Sequence, residues 1–403
     1  MILHLGVAVA LAQPLPELFE RSIVESPVDY AGSFQQPPVL HFRAKLPGGA
    51  MNAATHAEWS DPVIVGDHVL VGSAAANALY ALSRRDGTVR RTYPAGASVE
   101  AQPTVVGDRV YFSDTGGDTY CYTLDGERQW VHDGNAPILV APTVSTDGAR
   151  VVVTNVDDLA VALRSDTGEL DWQYRAKRDL TREAELSLYA APRAIVQGEE
   201  VLLGFSNGTL VAVELATGEE LWSRSVGEGR YPDIVADPVV AGSDVFTSGY
   251  FRPLVAIDVP SHNIRWRLEA GAANPVAVEV RDGATFVYHP GTDGKLRAVA
   301  GLTGAEVWVW SSETAGALTT PRVTEAGLLV ASSEGGVYLI DPESGKERWR
   351  WRERFLLQGV SAAPAIEGRQ LLFVTNAGYL TSMLVPASPP PERDHRWRFV
   401  GAH

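Results

Sequence analysis

Residues 192–222 read PRAIVQGEEVLLGFSNGTLVAVELATGEELW. A proline opens a short apolar run, Gly198 breaks it, and a second run follows at Val201-Leu202-Leu203. A third run, Leu210-Val211-Ala212-Val213, leads to Thr217-Gly218. Four residues beyond that glycine stands Trp222. Short β-rich runs parted by glycine turns describe an antiparallel meander. Proline has no N–H to donate, so it suits the start of a strand. A tight turn with positive φ admits glycine without steric cost.

The same unit recurs along the chain. Its opening prolines are Pro62, Pro103, Pro142, Pro192, Pro238, Pro275, Pro321 and Pro364, spaced 37 to 50 residues apart. The closing glycine and tryptophan recur as Gly126 with Trp130, Gly168 with Trp172, Gly304 with Trp308 and Gly345 with Trp349. The fifth unit keeps Trp266 but has His262 for the glycine; the first keeps Gly87 but has Arg91 for the tryptophan. A period of this length marks a repeat architecture whose units must stack to bury both sheet faces. The reading is therefore all-β: an eight-bladed β-propeller of four-stranded antiparallel blades over residues 38–385. Trp130, Trp172, Trp222, Trp266, Trp308 and Trp349 are structural residues placed at the seams between blades. Each can bury about 150–250 Å², worth about 4–6 kcal/mol gross as an upper estimate.

The eighth unit stops after Leu380-Thr381-Ser382-Met383-Leu384, one strand short. Val39-Leu40-His41-Phe42-Arg43 can supply that strand from the other end of the chain and close the ring. Residues 1–12, MILHLGVAVALA, form an apolar run ending in a small-residue cleavage pattern and read as a signal peptide. Residues 13–37 read as an N-terminal extension, and the proline-rich residues 386–403 as a disordered tail. No stretch reaches transmembrane length. The expected location is the periplasm, with the protein a monomer outside any complex.

The chain has 403 residues and a formal net charge of −15, which disfavours nucleic acid as a partner. Its one cysteine, Cys121, excludes a disulfide framework and reads as a packed strand residue. The nine histidines show no metal-protease spacing. Asp157-Asp158 reads as a solvated turn. Thr115-Gly116-Gly117-Asp118 and Glu334-Gly335-Gly336 read as hairpin turns, because no helix follows them as a phosphate loop requires. No catalytic, cofactor or metal residue is assigned.

The recurring P-x-V…V-x-V…G-x-L-x-A-L-D-x-x-T-G-x-x-x-W pattern resembles the PQQ-binding-like propeller repeat. That superfamily holds quinoprotein dehydrogenases, sensor domains and the outer-membrane assembly factor BamB family. Two segments resemble the BamB family. Leu186-Ser187-Leu188 precedes the fourth unit, with Tyr189 where the family has arginine. Asp233-Ile234-Val235-Ala236-Asp237 precedes the fifth. The resemblance implies a non-catalytic scaffold with Leu186, Leu188, Tyr189, Asp233 and Asp237 as partner contacts. The implied partner is the set of POTRA domains of BamA, which would also hold the protein at the outer membrane. Family members usually carry a lipobox cysteine after the signal; none follows residue 12 here. A periplasmic propeller with an unrelated protein or ligand in its central funnel is the second reading. A quinoprotein dehydrogenase is the third, and the resemblance counts against it, because those enzymes carry adjacent cysteines over the cofactor.

Overall fold

A computed structural model describes residues 23–25, 37–48, 58–176, 191–227, 231–314, 316–353 and 359–385. The signal-peptide reading, the tail, and Leu186, Leu188 and Tyr189 lie outside the described residues. The described residues form eight antiparallel blades in chain order, seven of them built on a consecutive four-stranded meander. Blades 1 to 6 span residues 63–94, 104–132, 143–175, 195–225, 239–268 and 277–311. Blade 7 spans residues 322–353 and blade 8 residues 365–384. The opening prolines stand at the head of the inner strands, directly before them in six of the eight blades.

Burial follows the position of each strand. The middle strands are shut between neighbouring blades; all six residues of Ala78–Ser83 and of Gln370–Thr375 are buried. Outer strands alternate, as in Leu170–Arg175, where Trp172 faces the core between exposed neighbours. The core is thus a ring of separate clusters, one at each seam. Residues of blades 3 and 4 make one of them, with Trp172, Val201, Leu203 and Val213.

The seams have a common construction. A Cβ built at Gly168 would lie 2.6 Å from the Trp130 ring, and one at Gly218 2.8 Å from Trp172. Gly304 and Gly345 meet Trp266 and Trp308 in the same way, at 2.7 Å. All four glycines have φ near +74°, so glycine is required both by the backbone and by the ring laid over it. The indole N–H then donates to a carbonyl of the next blade: Trp130 to Ser165 (3.0 Å), Trp172 to Leu215 (2.7 Å), Trp266 to Gly301 (2.7 Å) and Trp308 to Pro342 (3.0 Å). Arg91 reproduces the arrangement in blade 1. Its stem covers Gly126, and its guanidinium reaches the Leu124 carbonyl and Asp125.

Blade 8 is completed by Val39–Lys45, which pairs antiparallel with Tyr379–Leu384. Phe42 on that strand covers Gly87 of blade 1, so the seam rule holds across the closure. Residues Ile23–Glu25 add a fifth strand to blade 7, with Val24 opposite Arg352. Part of the N-terminal extension thus pairs with an outer edge.

The blade 4–5 seam departs from the rule. His262 takes the turn position with φ +55°, and its ring stacks on Trp222 at 4.5 Å. Trp222 is only half-buried, and its indole N–H has no acceptor. Truncating Trp172 to alanine is expected to cost about 3–5 kcal/mol in denaturant unfolding, the usual range for a buried aromatic. Trp222→Ala is expected to cost less; an equal or larger loss would contradict the half-buried seam. Deleting residues 36–46 removes the closing strand and is expected to abolish the cooperative thermal transition.

Candidate partner-docking face

A four-stranded meander places its blade-to-blade connections and its second hairpins at one end of the ring. The first and third turns lie at the other. The Asp233–Asp237 segment belongs to the connection end, between blades 4 and 5. The blade 4–5 connection is stitched to hairpins on both sides. Ile234 N–H donates to the Phe205 carbonyl of blade 4, and Val235 and Ala236 N–H to the Ser248 carbonyl of blade 5. Gly249 allows this approach, since a Cβ there would lie 2.0 Å from the Asp233 carbonyl oxygen.

Asp233 is 1% exposed, so it faces inward. Asp237 stands before Pro238 and accepts the Arg193 N–H at 2.7 Å. Arg193 in turn donates to the Thr143 hydroxyl (2.8 Å) and the Pro142 carbonyl (3.3 Å). One line of hydrogen bonds therefore joins the inner strands of blades 5, 4 and 3. Blade 1 repeats the device: Asp61, before Pro62, accepts the Ala363 N–H (2.6 Å) and pairs with Arg322 (3.0 Å). Burial pushes both carboxyls above the ordinary carboxylate range, against the pull of Arg322 on Asp61 and of the Arg193 amide and guanidinium on Asp237. In this arrangement Asp237 ties the connection to the neighbouring inner strands, and Asp233 is buried beside it.

Other acidic residues act in the same way. Asp158, read as part of a solvated turn, accepts the Ser206 N–H (2.9 Å) and hydroxyl (2.5 Å) across the blade 3–4 seam. Buried Asp114 accepts the N–H groups of Gly116, Gly117 and Asp118 on one oxygen. Its other oxygen takes Gly96, Ala97 and the Tyr120 hydroxyl. Thr115–Gly117 is accordingly a turn wrapped on a carboxylate. Cys121 is buried, and burial pushes its thiol up to about 11. Among the described residues no cluster of His, Cys, Asp or Glu could hold a metal ion, and no helix is long and apolar enough to cross a membrane.

One feature of this end escaped the sequence reading. Phe251, at the tip of the blade 5 hairpin, is 60% exposed. It meets Tyr250 edge to face at 4.7 Å and Tyr231 of the connection at 5.7 Å. The signal was present as Tyr250-Phe251 between strands, where a turn normally carries small polar residues.

The profile of the family described as "Outer membrane protein assembly factor BamB" matches residues 49–176, 139–309 and 292–384. The chain belongs to the BamB family. Curated BamB proteins are similar at modest identity. The protein of Legionella pneumophila (strain Paris) is 27% identical over 207 residues, 50% of this chain and 52% of the relative. That of Escherichia coli (strain K12) is 24% identical over 332 residues, covering 70% and 83%. The chain thus spans about half the length of the first relatives it matches, Legionella among them, and most of the E. coli protein. The crystal structure of BamB from Moraxella catarrhalis superposes with a TM-score of 0.71 at 17% identity, covering 86% of this chain and all of that one. A quinohemoprotein alcohol dehydrogenase, ADHIIG from Pseudomonas putida HK5, superposes at 0.67 with 14% identity, covering 88% and 78%. Both likenesses concern the fold, which BamB shares with enzymes.

His289 ends a buried strand at the connection end, donating its ring N–H to the Ala270 carbonyl at 3.0 Å. Burial pushes its pKa down from 6.5 to about 4. The fold accepts the neutral ring. Its contribution is complete above the unfolded value and is lost as pH falls through 6.5 towards about 4. The loss should be roughly 3 kcal/mol, at 1.36 kcal/mol per unit. His289→Gln keeps a donor for Ala270 and removes the titration. Urea unfolding across that window should show a flatter pH dependence than the parent; parallel curves would exclude His289 as the source.

Proposed function

We propose that this chain is a non-catalytic periplasmic scaffold that docks a partner during assembly of outer-membrane β-barrel proteins. The observation that carries the reading is the BamB-family match, which runs from residue 49 to residue 384 and so takes in nearly the whole ring. The partner is BamA, through its POTRA domains, and contact with it holds the protein at the outer membrane. Leu186, Leu188 and Tyr189 supply contacts from the blade 3–4 connection. Phe251 adds an exposed aromatic anchor on the neighbouring hairpin, the residue type on which interfaces rely. Asp237 fixes the position of the blade 4–5 connection through Arg193, with Asp233 buried in the same segment.

The ring is suited to this work. Its polar groups at the connection end bond one blade to the next, so the loops are presented on a stiff frame at little ordering cost on binding. The single cysteine cannot make the adjacent-cysteine disulfide of the quinoprotein enzymes, and no cofactor is assigned.

The test is a pull-down of the mature protein from its own cell envelope, beside Leu186→Asp/Leu188→Asp and Phe251→Ser. The parent is expected to recover BamA. Each variant, still folded by circular dichroism, should lose about tenfold or more, the scale of one interface anchor. Equal recovery by all three would remove the site assignment, and absence of BamA from the parent's eluate would remove the assembly role.

A further inference from the structure

The second hairpins of blades 2 and 7 make the same backbone bonds around different head residues. Each opens directly after the second strand, on Asp114 in blade 2 and on Ser332 in blade 7. The head N–H donates across the turn, from Asp114 to the Asp118 carbonyl and from Ser332 to the Gly336 carbonyl, both at 3.0 Å. The head carbonyl accepts the Gly117 N–H in one hairpin and the Gly335 N–H in the other, both at 3.1 Å. The following connection closes on that same carbonyl, through Ile138 N–H in blade 2 and Val360 N–H in blade 7. A tyrosine is the second residue of the next strand in each, Tyr120 and Tyr338.

In blade 2 the turn closes on the Asp114 carboxylate. One oxygen accepts the N–H groups of Gly116, Gly117 and Asp118, and the other those of Gly96 and Ala97 and the Tyr120 hydroxyl. Blade 1 heads its hairpin with a serine, Ser73, whose carbonyl takes the Val99 N–H in the same way. There a carboxylate arrives from another part of the chain: Glu58 accepts the Ser73 hydroxyl at 3.3 Å and the Ala74 N–H at 2.9 Å. Blade 7 has the serine, but no carboxylate among the described residues bonds to it.

Ser332 is 0% exposed, and its hydroxyl has no hydrogen-bond partner among the described residues. The buried Thr314 hydroxyl is orphaned in the same way. A Cβ built on Gly335 would lie 2.5 Å from the Tyr338 hydroxyl, 2.7 Å from Thr314 Oγ1 and 3.0 Å from Ser332 Cβ. Three hydroxyl-bearing side chains therefore converge on Gly335. Buried hydroxyls are rarely left unpaired, and each of these carries a proton to donate.

We propose that the blade 7 hairpin binds a small anion of the carboxylate class, held by the Ser332, Thr314 and Tyr338 hydroxyls where blades 1 and 2 use Glu58 and Asp114. Hydrogen bonds to an ionised acceptor are roughly twice as strong as neutral ones, so an anion answers the orphaned donors better than a neutral group does. Turns that gather N–H groups form concavities suited to anions. The burial of Ser332 limits the ligand to a few atoms, and formate presents a carboxylate with the least bulk.

Urea unfolding of the full-length protein tests this, with sodium formate replacing sodium methanesulfonate at fixed ionic strength. The parent midpoint is expected to rise with formate concentration along a saturable curve, because a ligand that binds only the folded state stabilises it. Ser332→Asp supplies its own carboxylate, as Asp114 does, and should not respond to formate. Thr314→Val removes one donor and should weaken the apparent affinity about tenfold; it keeps the test open if Ser332→Asp fails to fold. A parent midpoint with no saturable response, or an unchanged response in the variants, would overturn the proposal.

Discussion

An indole laid flat on a neighbour's glycine is the contact on which this ring depends. A blade is a sheet with two apolar faces and cannot be stable alone. The tryptophan of one outer strand covers the turn of the next, and its N–H anchors the turn carbonyl. One residue therefore supplies apolar area, register and direction at once. The exceptions show which parts are separable. Arg91 keeps the stem and the hydrogen bond without the ring. Phe42 keeps the ring without the hydrogen bond. At the blade 4–5 seam a second ring, His262, occupies the place of the glycine, and Trp222 is lifted towards solvent.

The electrostatics of the ring follow from its shape. Inner strands converge on the axis, so their first residues crowd together with their backbone groups turned to neighbours. Aspartates before the opening prolines meet that demand. Asp237 bonds to Arg193, and Asp61 to Ala363 and Arg322. These carboxylates are committed to the frame.

Much of this fold was legible because its signals repeat. Eight prolines and their glycine–tryptophan pairs gave the blade count, and a missing last strand pointed to Val39–Arg43; the observed strand runs two residues further, to Lys45. Features that occur once were not legible. Ile23–Glu25 is too short to show a period, and nothing local tells that it will pair with Trp351–Glu353. The acidic ties were hidden because an aspartate before a proline looks the same whether it faces water or a neighbouring amide. Asp158 was misread because an aspartate in a strand-to-strand turn looks the same whether it faces water or a neighbouring hydroxyl. Of the predicted contact residues, Asp233 and Asp237 turn inward in the structure, while Leu186, Leu188 and Tyr189 fall outside the described residues.

The closing strand joins His41 to Ser382 across 341 positions of sequence. Most blades can form from some thirty consecutive residues, quickly and with little loop to close. The last can form only when both ends of the chain are present together. A chain delivered end first, as in export through a narrow channel, must hold its early strand unpaired until the final segment arrives. Until then the partly built ring has two raw flanks, each showing an apolar sheet face and a ready edge. The architecture that leaves the finished ring without an open flank therefore makes its assembly the stage at which it most needs protection from other chains.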